Sequence, residues 1–355
     1  ATLMVLGPVR SGAQEAAGDP NGKWRGKLYC LALGAKRANP EQPKDLAEAF
    51  LHSNPLHPRA LPGLGATDLP VDSESDEARR WFSHGLSCLH LLWDEEAERA
   101  FRQVLTIDPD CAMACWGLAM ANFDRPGRGA FFARLATGKI KAGTPVAVRE
   151  WVAPVARFFD RPGDPLSPRL LRLAADLEEL AMASPESIEA RALLLRQLVL
   201  NDLRGGLDVR SPWAVDRLAG EILEGNPSHP GRQARLLLWT KHKPRFLAEG
   251  GFLDPDGLSE GAPAQAWRIL AEAQQAAGRW EESVATLVRA LEIELAARKN
   301  WFERPVRGPT FAEDGAALVS ALGRLGRTKE ALEVAAALKR LALPGRVATE
   351  ASGDA

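Results

Sequence analysis

The stretch that decides the fold is residues 76–117, DEARRWFSHGLSCLHLLWDEEAERAFRQVLTIDPDCAMACWG. Counted from Ala78, bulky residues fall at positions 4, 11 and 24 (Trp81, Cys88, Phe101). Small residues fall at positions 8 and 20 (Gly85, Ala97), and Pro109 stands at 32. Such spacing fits a 34-residue helix–turn–helix unit, in which two helices cross where both backbones carry only Gly, Ala or Ser. Proline after the second helix suits a place where no further intrahelical N–H is needed.

The same register recurs. A unit from Ala112 offers Leu118 and Ala119, then loses the pattern at Gly127–Gly129, where Pro126-Gly127 reads as a break. A unit from Ala264 places Trp267, Leu270, Ala271, Ser283, Leu287 and Ala290 in register, with Gly278 at the turn, and one from Ala312 is fainter. One unit cannot bury its own apolar face, so several must stack. The segments between read as divergent members of the stack: Thr144–Phe159, Ser167–Ala183, Ser184–Leu203, Ser211–Leu223 and His229–His242. Ser167-Pro168, Ser184-Pro185 and Ser211-Pro212 each offer a capping hydroxyl followed by proline, a helix-start signal. The fold expected is all-α, a tetratricopeptide-like (TPR) solenoid of paired helices.

Composition agrees. The 355 residues are 46% hydrophobic and 26% charged, which suits a chain with a buried core. Four organisational segments are expected: 1–22 unstructured, or the remnant of an export signal; 23–74 a proline-rich extended arm; 75–343 the helical array; 344–355 a frayed tail. Apolar Ala1–Val9 followed by Ser11-Gly12-Ala13 suits a clipped signal, and an unstructured terminus explains it as well, so exported and cytoplasmic locations both stay open. No run of eighteen apolar residues occurs, so no membrane span is expected. A net charge of −1 gives no electrostatic reason to expect nucleic acid.

Residues 76–117 resemble a family of bacterial TPR proteins whose first repeat reads "EAQRFFDQGL…HEEA…SF…DPDCAMAYWG". Asn226-Pro227-Ser228-His229-Pro230-Gly231 and Gly278-Arg279-Trp280-Glu281-Glu282-Ser283 resemble its "NPDHPGA" and "GRYEDA" segments. The resemblance spans about residues 55–343 and implies a helical array, with no established activity. Two departures stand out. Asp94 occupies the place of the histidine before "EEA", and residues 261–270 lack the histidines of a "HLVHMPAHI"-like helix. Any chemistry resting on those histidines is expected to be absent.

Motifs for chemistry are sparse. The chain has no HExxH, CxxC or glycine-rich phosphate loop. Cys30, Cys88, Cys111 and Cys115 form no disulfide framework. Cys111 and Cys115 share a helix face but lack the further pair that zinc needs. His84 reads as a groove or surface residue, and His229 as the start of a helix. No metal, cofactor or catalytic residue is therefore expected. The reading is a non-catalytic scaffold binding a protein or peptide through the inner face of its first helices. That face would carry Arg79, Phe82, Leu86, Leu89 and His90 in the first unit, and Arg268 and Glu272 in the Ala264 unit. The alternatives are an enzyme or a small-ligand or metal binder using an inner pocket, and a structural subunit of an envelope complex. Glu98 is expected on the outer face of the second helix.

Overall fold

A computed structural model describes residues 69–161, 163–203, 205–242, 258, 262–299 and 309–342. The expected unstructured start, most of the proline-rich arm and the tail lie outside the described residues. Among those described, every regular element is a helix. The first seven are α1 (Asp76–His90), α2 (Asp94–Ile107), α3 (Ala112–Ala121), α4 (Pro126–Lys139), α5 (Val146–Asp160), α6 (Leu166–Ala183) and α7 (Ile188–Leu203). Six more follow: α8 (Pro212–Gly225), α9 (Arg232–His242), α10 (Ala264–Ala276), α11 (Trp280–Lys299), α12 (Pro309–Arg324) and α13 (Thr328–Ala342). Each packs on its sequence neighbour, and α1·α3, α3·α5, α7·α9 and α10·α12 touch as alternate helices do in a stack of pairs. No helix among the described residues is long and apolar enough to cross a membrane.

The spacing that predicted the first pair acts through Phe101. Its ring lies between α1 and α3, so a Cβ on Gly85 would stand 2.9 Å from it and a Cβ on Gly117 2.5 Å. Phe82 completes the contact, with ring centroids 5.4 Å apart. Ala97, on the face of α2 turned inward, is fully buried.

The turns repeat as well. Trp93 N–H bonds Cys88 O, Arg279 N–H bonds Gln274 O, and Arg327 N–H bonds Leu322 O, all at 2.8–2.9 Å. This is the closing bond of a Schellman cap, which needs one residue in left-handed conformation. Leu92 (φ 54°), Gly278 (79°) and Gly326 (73°) supply it. Counted from Ala78, Ala264 and Ala312, all three are position 15. Leu92 does so without glycine's freedom, an uncommon conformation for a branched side chain.

The remaining differences are local. Pro126, read as a break, is the first residue of α4, where its missing N–H goes unmissed. Gly129, read as lost pattern, leaves room for the Phe159 ring. Helix α7 is capped by Ser187, whose Oγ accepts from Ala190 N–H at 3.1 Å, and Ser184 instead closes α6. Ser167 lies inside the first turn of α6, after Pro165. Ser211 caps α8 as expected, its Oγ accepting from Ala214 N–H at 3.3 Å.

The described end of the arm is docked. Leu69 is buried in the core around α1–α3. The Asp72 carboxylate accepts from Ala112 N–H (2.8 Å) and Met113 N–H (3.0 Å), the open amides at the start of α3. It also accepts from the Cys111 thiol at 3.3 Å. Glu98, expected outside, is buried as the hub of an ion cluster. It accepts from Arg102 Nε (2.9 Å), from Asn122 Nδ2 (3.1 Å) and from Arg128. The correction arises because α4 brings Arg128 onto that face of α2.

Candidate functional site

The inner face assigned to α1 is not open. Phe82, Leu86, Leu89 and His90 are all buried, because α3 and α7 pack on α1. Phe82 faces the Phe101 and Trp116 rings. Only Arg79 reaches solvent, paired with Asp76 at 2.6 Å. The expectation of a binding groove on this helix is therefore corrected: these residues are core.

His90 instead meets two residues from far along the chain. It ends α1; Glu189 lies in the first turn of α7; His229 sits in the turn before α9. Their exposures are 1%, 1% and 2%. Glu189 Oε1 contacts His90 Nε2 and its Oε2 lies 3.3 Å from His229 Nε2. The imidazoles meet edge to face, centroids 5.1 Å apart.

The protons can be placed. Burial alone would raise the Glu189 carboxyl, but the two histidines outweigh it and hold it at about 2, so it is ionised. An ionised carboxylate only accepts, so each histidine presents an N–H at Nε2. For His229 this is independently required, since Nδ1 accepts from Gly231 N–H at 2.9 Å. His90 Nδ1 is then a bare lone pair, buried with no hydrogen-bond partner. Burial lowers the His90 pKa below its usual 6.5, against the pull of Glu189.

Three ligand-type atoms within 4.8 Å of one another could hold a divalent transition metal. Both Nε2 protons would have to leave first. His90 can move its proton to Nδ1, but His229 Nδ1 already faces an N–H. Arg196 adds a positive charge that acts on His90. Its Nε–H donates to Leu89 O at 2.8 Å and its Nη2 lies 3.3 Å from Asp94. Asp94, at the place where the resembling family carries histidine, is thus committed to a guanidinium. With protons so placed, the cluster ties α1, α7 and the α8–α9 turn together and offers no converging lone pairs.

The cysteines behave as core. Cys88, Cys111 and Cys115 are free and buried. Burial pushes the Cys115 thiol up to about 12, and burial with the Asp72 charge raises Cys111 further. A thiolate nucleophile is disfavoured at both. His84 is partly buried against Trp81, ring centroids 5.6 Å apart, and burial lowers its pKa.

Arg268 and Glu272 sit differently. Arg268 of α10 is 20% exposed and Glu272 33%. Arg268 Nη1 lies 2.9 Å from Glu272 and 3.7 Å from Glu313 of α12, and its Nε lies 3.5 Å from Asp314. Asp314 has no exposed side-chain surface, and neither oxygen has a hydrogen-bond partner. Burial, with the charges of Glu294, Glu272 and Glu313, pushes its carboxyl up to about 7 against the pull of Arg268. Glu313 and Asp314 were missed from sequence, because their partner Arg268 is on a helix two elements earlier.

No protein-family model matches the chain, and no curated protein matches it.

Proposed function

We propose that this chain is a TPR-type scaffold that binds a protein or peptide on the face shared by α10 and α12. The observation that carries this reading is the Arg268 cluster. A guanidinium bridges two alternate helices at repeat positions 5 and 9 from Ala264, the inward positions of such a unit, and two of its carboxylates, Glu272 and Glu313, stay partly open. The matching positions on α1 are closed by α3 and α7, which leaves the later pair as the better place for a partner. Alternate helices of a stack present extended surfaces that suit a peptide backbone with spaced side chains.

Selection of a random peptide library on the full chain tests this. Peptides should enrich on wild type and lose binding to an Arg268→Ala, Glu313→Ala double variant. No enrichment, or enrichment indifferent to the two substitutions, would overturn the reading. A metal-binding function is the second reading, favoured by the proximity of His90, Glu189 and His229. Zinc titration, described below, decides it.

A further inference from the structure

The cluster between α10 and α12 leaves a buried carboxyl without a hydrogen bond. Four carboxylates act there: Glu272 on α10, Glu294 on α11, and Glu313 and Asp314 on α12. Among the described residues acting on Asp314, Arg268 is the cation. Arg268 directs its Nε–H to Gln265 Oε1 at 3.2 Å and its Nη1 to Glu272 at 2.9 Å, and neither Asp314 oxygen has a hydrogen-bond partner. Asp314 therefore has an arginine within Coulomb range but receives no hydrogen bond. A buried carboxyl left this way is costly and asks for a donor.

Exposure falls steadily across the group. Glu313 is 58% exposed, Glu272 33%, Arg268 20% and Asp314 0%. Glu313 and Glu272 thus meet solvent, and the unsatisfied acid is the most enclosed of the group. A ligand that completes this arrangement must bring positive charge and N–H donors together. Ammonium and guanidinium groups do so; a bare metal ion brings charge without donors and meets Arg268 at close range.

We propose that the α10–α12 face recognises a lysine or arginine side chain of its partner, with Glu313 and Glu272 admitting the cation and Asp314 receiving its N–H. This rests on the scaffold reading above and names the chemistry of the partner it takes. Charge complementarity of this kind sets specificity and register more than raw affinity. It also couples binding to a proton. Near neutral pH Asp314 is partly protonated, and an arriving cation favours its ionised form, so binding should release a fraction of a proton.

The experiment uses the full chain and three peptides of equal length, alternating alanine with lysine, glutamine or glutamate. Calorimetry at pH 7 is run in two buffers of different ionisation enthalpy. The lysine peptide should bind at least about tenfold more tightly than the others, a difference of about 1.4 kcal/mol. It should release protons, and Asp314→Asn should weaken it and abolish the release while circular dichroism stays unchanged. Glu313→Gln, at the exposed rim, gives a second variant that leaves the core intact and should also weaken the lysine peptide. Equal binding of all three, preference for glutamate or glutamine, or lysine binding indifferent to both variants would overturn the proposal and leave the scaffold standing. Failure of all three while library-selected peptides bind would overturn it too. Failure of all peptides, selected ones included, would remove the scaffold reading itself.

Discussion

The Cβ that Gly117 lacks would stand 2.5 Å from Phe101. Phe101 is the bulky residue of the first repeat and Gly117 belongs to the helix that opens the second, so one ring sets the distance between the two units. Gly117→Ala should therefore cost about 1–3 kcal/mol by overpacking, although alanine is the better helix former. Gly138, exposed in α4 with nothing within 4 Å of its missing Cβ, should respond oppositely. Gly138→Ala should stabilise by about 0.5–1 kcal/mol. Urea midpoints of the two variants, moving in opposite directions from wild type, check the pair.

Glu98 carries a larger effect. Burial would raise its pKa, but Arg102 and Arg128 outweigh that and hold it low. Those guanidiniums are 9% and 8% exposed, so removing the acid takes away the carboxylate that both buried cations contact. Glu98→Leu should cost about 3–5 kcal/mol. Glu95→Gln, on the exposed side of the same turn, should stay within about 0.5 kcal/mol. Denaturation of both variants measures this, and equal stability would place the Arg102 and Arg128 charges in water.

These residues show what the sequence could and could not reveal. Gly85, Ala97 and Phe101 act within one local unit, so their spacing alone exposed the helix pair and its crossing. Pro126 misled because proline ends a helix and also begins one, and only the preceding turn distinguishes the cases. Glu98 looked like an outer-face residue because its partner Arg128 lies 30 residues later on another helix. The same holds for His90, whose partner Glu189 is 99 residues away, and for Asp72, which caps a helix 40 residues on. No local period encodes such meetings; they follow from how the pairs stack.

His90 and Glu189 each contribute stability that is lost on acidification. His90 has a folded pKa below 6.5, so the unfolded chain takes its proton first, and stability declines as pH drops below 6.5. Glu189, held at about 2 against its usual 4.5, contributes stability above 4.5 that is lost as pH falls towards 2. Asp314, pushed up to about 7, acts in the opposite sense over the same range, so the His90 part is read as a difference between variants. Urea midpoints measured from pH 7 downward should show wild type losing stability relative to His90→Gln between pH 7 and 5. A difference that stays constant over that range would mean that His90 is not buried neutral.

Zinc tests the proton placement at His90, Glu189 and His229. If both Nε2 atoms carry protons and Arg196 stands beside them, zinc added at pH 7 should leave the melting temperature unchanged. A rise that disappears in His229→Gln would make the cluster a metal centre, because ligand binding to the folded state stabilises it. Elemental analysis of untagged protein gives the stoichiometry.

The most direct test of the account is hydrogen exchange with and without a library-selected peptide. The proposed partner site is on α10 and α12, and the His90–Glu189–His229 cluster is part of the closed core. Added protection should therefore concentrate in residues 264–276 and 309–324, with residues 76–90 and 188–203 unchanged. Protection centred on α1 and α7, with α10 and α12 indifferent, would contradict it.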